Sequence, residues 1–452
     1  MGPFHALLVD TAERAARYLQ GLDARGVAPD ANAVAALRAF DIPFPDAPAD
    51  PRAVLAELDR IGSPGTMAMA GPRFFGFVIG GSLPAALAAN WLASAWDQNS
   101  GLYSPAPATA TLEQVALRWI LDALDLPRAC AGGFVTGTTV AHVTALAAAR
   151  HRVLHTAGWN VEADGLFGAP PVTIVVGEEA HPTLFKALGI LGLGRGRVVR
   201  VPVDGQGRMR ADALPAIRGP AIVCVQAGNV NTGAFDPVEA ICERAHAAGA
   251  WVHVDGAFGL WARAAPSRAA LARGIEAADS WATDAHKWLN VPYDNGIALV
   301  RDADALRAAM AITAEYLPAA ATHPNPSDFT PELSRRARGV DAWAALRSLG
   351  RAGLAELVER NCREARRFAE ALSTAGFRIL NDVALNQVLV SFGDAAATLR
   401  TIAAIQAEGT CWCGSTVWQG HTAARISVCS WATTDADVER SIDAIVRAAR
   451  GP

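Results

Sequence analysis

Ala250-Trp251-Val252-His253-Val254-Asp255-Gly256-Ala257 is an apolar run that ends on a carboxylate. Such a run, bounded by turn residues, reads as a strand covered on both faces, which is the pattern of a parallel sheet. Comparable runs stand at Val172 to Val176 and Ala221 to Val225, with helical stretches between them from about residue 105 to 305. Strands alternating with helices imply an α/β fold whose sheet is mostly parallel. Ser104-Pro105-Ala106 precedes an amphipathic stretch from Thr111 to Leu124, and Asp236-Pro237 is expected to open a helix to Ala248 with Asp236 as its N-cap. Residues 318 to 331 carry Pro318, Pro324, Pro326 and Pro331 and read as a surface loop. Helical patterns from Gly339 to Leu372 and strands at Gln387 to Ser391 and near Ala424 to Cys429 then suggest a smaller α+β domain.

The chain has 452 residues, 51% hydrophobic and 19% charged, enough to bury a large core. A formal charge of −4 and a pI near 6.2 leave no basic footprint for nucleic acid or a membrane surface. Asp10, Glu13, Arg14 and Arg17 interrupt the apolar residues of the N-terminus, so no signal-peptide core is expected there. Seven cysteines, an odd number, suggest no disulfide framework and fit a reducing cytoplasm. Of 40 basic residues only Lys186 and Lys287 are lysines, leaving 38 arginines. A lysine retained against that bias marks a place where a deprotonatable primary amine is required, or else a chance survivor.

Four local patterns carry chemistry. Asp255 closes a strand at the edge where α/β proteins bind ligands, and a buried carboxylate there requires a cation or a capping role. A protonated pyridine nitrogen would be such a cation, with the small Ala257 letting a flat ring lie close. Asp279-Ser280-Trp281-Ala282-Thr283-Asp284-Ala285-His286-Lys287-Trp288 is a strand end running into a turn, and an apolar setting beside His286 is expected to favour the neutral, nucleophilic form of the Lys287 amine. Gly132-Gly133-Phe134-Val135-Thr136-Gly137-Thr138-Thr139 feeds an apolar helix, making an anion site of Gly137, Thr138 and Thr139. It lacks the endings that mark ATP or dinucleotide loops. His181, in Gly177-Glu178-Glu179-Ala180-His181, falls at the same sheet edge as Asp255 and serves either as a helix cap or as a ring stacked on a cofactor.

In this order, together with Pro72-Arg73-Phe74-Phe75-Gly76-Phe77, Gly233-Ala234-Phe235-Asp236-Pro237 and Ser334-Arg335-Arg336-Ala337-Arg338, these segments resemble the group II pyridoxal-phosphate decarboxylases. That family includes the aromatic-amino-acid and glutamate decarboxylases, and the resemblance runs from about Pro72 to Thr434. It implies the aspartate-aminotransferase-like fold (fold type I) and pyridoxal 5′-phosphate as cofactor, with no metal. It also implies a homodimer with sites at the subunit interface. Lys287 would bear the cofactor as a Schiff base, Asp255 would pair with the pyridine nitrogen, and His181 would stack over the ring. Thr138, Thr139 and His286 would hold the phosphate, with Gly137, Ala257 and Asp284 beside them. Phe77, Gly80 and Arg425 fall where relatives bind substrate. The expected division is an N-terminal helical segment (1–70), a large cofactor domain (71–316), a mobile loop (317–338) and a C-terminal small domain (339–452).

Three departures from the family pattern bear on the chemistry. The phosphate turn reads Gly137-Thr138-Thr139-Val140 and lacks the usual acid. Gly228-Asn229-Val230-Asn231 replaces the usual Gly-Thr-Thr, so Asn229 or Asn231 is expected to meet the ring hydroxyl. No tyrosine follows Tyr316, whereas the mobile loop of animal relatives carries one as proton donor. The leading expectation is therefore decarboxylation of an L-amino acid to its amine. The alternatives are an aldehyde-forming oxidative deamination or transamination, and a catalytically silent cofactor-binding protein.

Overall fold

The computed structural model describes residues 3–312 and 323–451. The chain divides into two compact units. One comprises Ser82–Ala365 with Asn381–Gln387, and the other Met1–Gly81, Arg366–Leu380 and Val388–Pro452.

The larger unit is built on seven strands: β1 (Ala131–Val135), β2 (Thr173–Gly177), β3 (Val199–Val201), β4 (Ala221–Gln226), β5 (Trp251–Asp255), β6 (Ser280–Asp284) and β7 (Gly296–Val300). Their order across the sheet is β1-β7-β6-β5-β4-β2-β3. The pairs from β6 through β5, β4 and β2 to β3 are parallel, and β7 alone runs against both its neighbours. The mostly parallel sheet expected from the continuous apolar runs is therefore present. Every residue of β4, β5 and β6 is buried, which explains why these strands show no polar alternation.

The helix Thr138–Thr156 supplies much of the packing. Ala145, Leu146, Ala148 and Ala149 are fully buried on it and belong to one core with Ile174, Leu184, Ile222 and Trp251. Its short alanine side chains allow close approach, and its burial on nearly all sides explains a weak amphipathic pattern. Full burial of a leucine such as Leu146 stabilises the fold by about 1.5–3 kcal/mol.

The helix expected to start at Asp236 begins one residue later, with Pro237 as N-cap and Val238–Ala247 helical. Asp236 is instead drawn inward, its carboxylate accepting from the backbone N–H of Met209 and of Gln226, each at 2.7 Å. Part of the loop expected at 317–338 lies outside the described residues, which resume at 323. From there the chain is anchored: Tyr103 N–H donates to Asn325 Oδ1 at 3.0 Å and Ser327 N–H to the Gly101 carbonyl at 2.9 Å. Arg335, fully buried, donates from Nη1 to both oxygens of Glu113 at 2.8 Å and from Nη2 to the Phe134 carbonyl at 2.6 Å. The Ser334-Arg335-Arg336 segment thus tethers the 107–123 helix and β1.

The smaller unit carries a four-stranded sheet in the order β10-β11-β9-β8, from β8 (Arg378–Ile379), β9 (Gln387–Ser391), β10 (Gly414–Trp418) and β11 (His421–Ser427). Gln419 and Gly420, both at positive φ, turn the β10–β11 hairpin. The N-terminal helices Pro3–Gly21 and Pro51–Gly65 belong to this unit. So does buried Arg73, whose Nη1 donates to Asp437 at 3.0 Å and also to Asp23. Among the described residues no helix is long and apolar enough to cross a membrane.

Candidate active site

One cavity of about 330 Å³ in the larger unit gathers Thr136 to Thr139, His181, Gln226, Gly228, Val230, Asp255, Ala257, Asp284, His286 and Lys287. A wider groove of about 630 Å³ around Arg208, Arg210 and Asp236 is lined by no lysine or histidine.

Parallel strands β5 and β6 place the two acidic ends side by side. Asp255, the last residue of β5, is 6% exposed; one carboxylate oxygen accepts from the Ala257 N–H at 3.2 Å, and the other lies 3.5 Å from His142 Nε2. Burial pushes its pKa up, yet His142, His181 and Lys287 together hold it well below the ordinary carboxylate range. Asp255 is therefore an anion at neutral pH, and the cavity beside it suits a cation.

Asp284, the last residue of β6, is equally buried and differently used. Its Oδ2 lies 3.1 Å from Lys287 Nζ and accepts from the Thr138 hydroxyl, while Oδ1 has no hydrogen-bond partner among the described residues. It is the counter-ion that aims the lysine across the turn 285–289. His286 Nδ1 accepts from the Asn295 N–H at 3.0 Å, and its ring packs on Tyr293 at 4.3 Å. Burial, opposed by Asp284, lowers the His286 pKa, so the ring is neutral at neutral pH.

The helix Thr138–Thr156 enters the cavity by its N-terminus, with Gly137 as an N-cap that makes no side-chain capping bond. Its first N–H groups and the Thr139 hydroxyl form an anion cradle. Gly296 of β7 passes so close to Gly137 that any Cβ there would overlap its backbone, which fixes the turn. His181 fills both roles that its sequence position allows. It lines the cavity, and it is the N-cap of the helix Pro182–Ile190, with Nδ1 2.7 Å from Thr183 Oγ1 and accepting the Thr183 N–H at 3.4 Å. A neutral ring so engaged carries its proton on Nε2.

Two of the expected cofactor residues, Asn229 and Asn231, are not among those lining the cavity. The Asn229 side chain closes its own turn, accepting from the N–H groups of Asn231 and Thr232 at 2.9 and 3.2 Å and donating to Glu179 at 3.2 Å. Gln226, Gly228 and Val230 line the cavity instead. Phe77, Gly80 and Arg425 belong to the smaller unit. There Phe77, with φ at 53°, is 59% exposed and packs on Trp412 at 5.5 Å, Gly80 is buried, and burial lowers the Arg425 pKa. Tyr103 stacks on His323 at 4.2 Å, and Tyr316 lies outside the described residues.

A buried anion, a primary amine and an uncapped helix N-terminus around one cavity fit a flat, cationic, phosphorylated aldehyde, which is pyridoxal 5′-phosphate. The fold and site therefore define a pyridoxal-phosphate enzyme of fold type I. The pyridoxal-dependent decarboxylase conserved domain matches residues 35–393, and the chain belongs to that family. It is 30% identical to tryptophan decarboxylase 1 of Oryza sativa subsp. japonica over 367 residues, 74% of this chain and 70% of that protein. L-2,4-diaminobutyrate decarboxylase of Rhizobium meliloti (strain 1021) is 29% identical over 428 residues, 90% and 84% of the two chains. A crystal structure of Oryza sativa TDC with PLP and tryptamine has the same fold, with a TM-score of 0.91 at 23% identity over 100% of this chain and 99% of that one. The enzyme is a pyridoxal-phosphate-dependent carboxy-lyase of amino acids.

Proposed function

We propose that the chain converts an L-amino acid to its amine and CO₂, with Lys287 bearing the cofactor, Asp255 facing its ring nitrogen and His181 over the ring. The observation that carries this reading is the convergence of Lys287, Asp255, His181 and the Thr138–Thr139 cradle on one cavity. When bound, the cofactor supplies an electron sink for the bond broken at Cα. Asp255 would hold the ring nitrogen protonated, which is what makes that sink effective. Asp284 keeps the Lys287 amine pointed into the cavity and anchors the Thr138 hydroxyl, so the lysine and the phosphate cradle are positioned by one carboxylate. His286, neutral and fixed by Asn295, contributes an N–H donor rather than a charge. Binding must hold the substrate carboxylate out of the ring plane, because the scissile bond has to stand perpendicular to it.

The step after CO₂ leaves requires a proton at Cα. His181 supports that role, since its Nδ1 is engaged by Thr183 and its Nε2 holds a proton. The alternative product, an aldehyde, is favoured by the absence of any tyrosine after Tyr316. Screening the amino acids for CO₂, amine, aldehyde and H₂O₂ decides between them: amine with CO₂ supports the reading, and aldehyde with H₂O₂ rejects it.

A homodimer fits the apolar side chains that each unit exposes. They include Phe4, Leu8, Ile42 and Phe44 in the smaller unit, and Trp91, Leu92 and Trp96 on the helix Pro84–Trp96 of the larger. Seven free cysteines suit a reducing compartment such as the cytoplasm.

A further inference from the structure

Behind Asp255 runs a chain of buried polar side chains, of which only His142 has entered so far, through its effect on that carboxylate. Trp251, His253 and Asp255 alternate along β5 and project from one face of the sheet. Trp251 Nε1 donates to Ser280 Oγ at 2.8 Å. Ser280, paired with His253 across the β5–β6 ladder, lies 2.9 Å from His253 Nδ1. His253 Nε2 lies 2.9 Å from His142 Nδ1, and His142 Nε2 stands 3.5 Å from Asp255 Oδ2. His142, His253 and Ser280 are each 0% exposed. His142 sits one helical turn beyond Thr138, so the helix that opens at the phosphate cradle also carries it.

Proton counting determines what His142 shows to the carboxylate. An indole N–H only donates, so the Ser280 oxygen accepts from Trp251 and has its own hydrogen to give to His253 Nδ1. Burial, and then the neighbouring His142, push the His253 pKa well down, so this ring is neutral with a single proton. With Ser280 donating to Nδ1, that proton is on Nε2 and is donated to His142 Nδ1, which leaves the proton of a neutral His142 on Nε2. A doubly protonated His142 would carry a proton on Nε2 as well. Only a neutral His142 with its proton on Nδ1 would leave Nε2 bare, and that sets a lone pair against a buried carboxylate. Among the described residues His142 Nε2 makes no hydrogen bond of good geometry, its nearest acceptor being Asp255 Oδ2 at 3.5 Å, and a buried N–H of this kind needs one.

The geometry points to His142 as a positioning residue: its Nε2–H, oriented by the Trp251–Ser280–His253 chain, holds the Asp255 carboxylate as an anion turned toward the cofactor's ring nitrogen. The inference rests on the reading that Asp255 meets that nitrogen. Tightening the 3.5 Å contact needs only a few tenths of an ångström of side-chain movement.

The test compares His142→Leu, which removes the donor, with His142→Gln, which restores an N–H near the Nε2 position, and with Ser280→Ala at the far end of the chain. Cofactor affinity is measured by titrating each apoenzyme with pyridoxal phosphate, alongside thermal melting of the apoenzyme. His142→Leu is expected to weaken cofactor binding at least about tenfold, the effect of one lost charge-assisted hydrogen bond. His142→Gln should recover most of that loss, and Ser280→Ala should weaken binding severalfold without lowering the melting temperature in proportion. If His142→Leu and His142→Gln behave alike, His142 is only a packing residue and the inference falls. Should His142→Leu not fold, parent-like affinity in Ser280→Ala overturns it equally. Asp255→Asn separates the two levels: parent-like affinity there rejects the Asp255 reading itself. Impaired affinity there with an unaffected His142→Leu rejects only the role of His142. With both correct, His142→Leu adds no further loss in the Asp255→Asn background.

Discussion

On the proposed reading, replacing Asp255 by Ala or Asn removes the anion that faces the cofactor's ring nitrogen. Asp255 is 6% exposed, so solvent screens the pair little. Removing one partner of a buried ion pair costs about 3–5 kcal/mol, equivalent to a factor of about a hundred to a few thousand in a dissociation constant. The cofactor-free protein already surrounds this carboxylate with His142, His181 and Lys287, which stabilise it before the cofactor arrives. That partial compensation places the expected loss near the lower end, about a hundredfold in pyridoxal-phosphate affinity. Turnover should fall further than affinity, because a ring without its nitrogen proton is a weaker electron sink. The assay titrates apoenzyme with cofactor and measures CO₂ release at saturating cofactor. Asn preserves the size of Asp and so separates charge from packing. Full turnover in either variant would refute the electron-sink reasoning.

Three further outcomes follow from the same geometry. His181→Gln should slow amine release by about a hundredfold, as for a lost general acid, while cofactor retention changes little; equal rates in variant and parent would remove His181 as donor. Gly296→Ala should weaken cofactor binding, because the new methyl displaces the Gly137 backbone and with it the phosphate turn, and unchanged affinity would show that the cradle tolerates the shift. Asp341 is 4% exposed, accepts from Asn90 at 2.9 Å on one oxygen only, and has its pKa pushed up to about 6 by burial. The folded state therefore holds this proton more tightly than the unfolded chain, and the stability it contributes at low pH is lost as pH rises through about 6. Asp341→Asn should accordingly gain stability relative to the parent between pH 4 and 7, by up to about 3 kcal/mol, in denaturant titrations; a pH-independent difference would contradict the shift.

Much of this was legible in the sequence because the central strands are buried on both faces. Trp251–Asp255 reads as an apolar run with an acid at its end and residues 279–288 as a strand end running into a turn, and parallel pairing brings the two strand ends together without help from any loop. What was not legible depends on long-range partners. Asp236 resembles an N-cap locally, yet two backbone N–H groups from Met209 and Gln226 draw it inward. Asn229 resembles a ligand residue, but closing its own turn uses its side chain. The β10–β11 hairpin was signalled only by Gln419-Gly420, a weak turn pair whose positive φ values become evident in the fold. His142 and His253 carry only a positional clue in the sequence: one lies four residues after Thr138 on a helix, the other two before Asp255 on a strand. Their meeting depends on how that helix packs against β5.

The central claim, that Lys287 carries the cofactor, has a direct chemical test because the chain has a single competing lysine, the exposed Lys186. Borohydride reduction of the yellow holoenzyme, followed by digestion and mass mapping, should place one pyridoxyl group on the peptide containing Lys287 and none on Lys186. Label found solely on Lys186 would contradict the account.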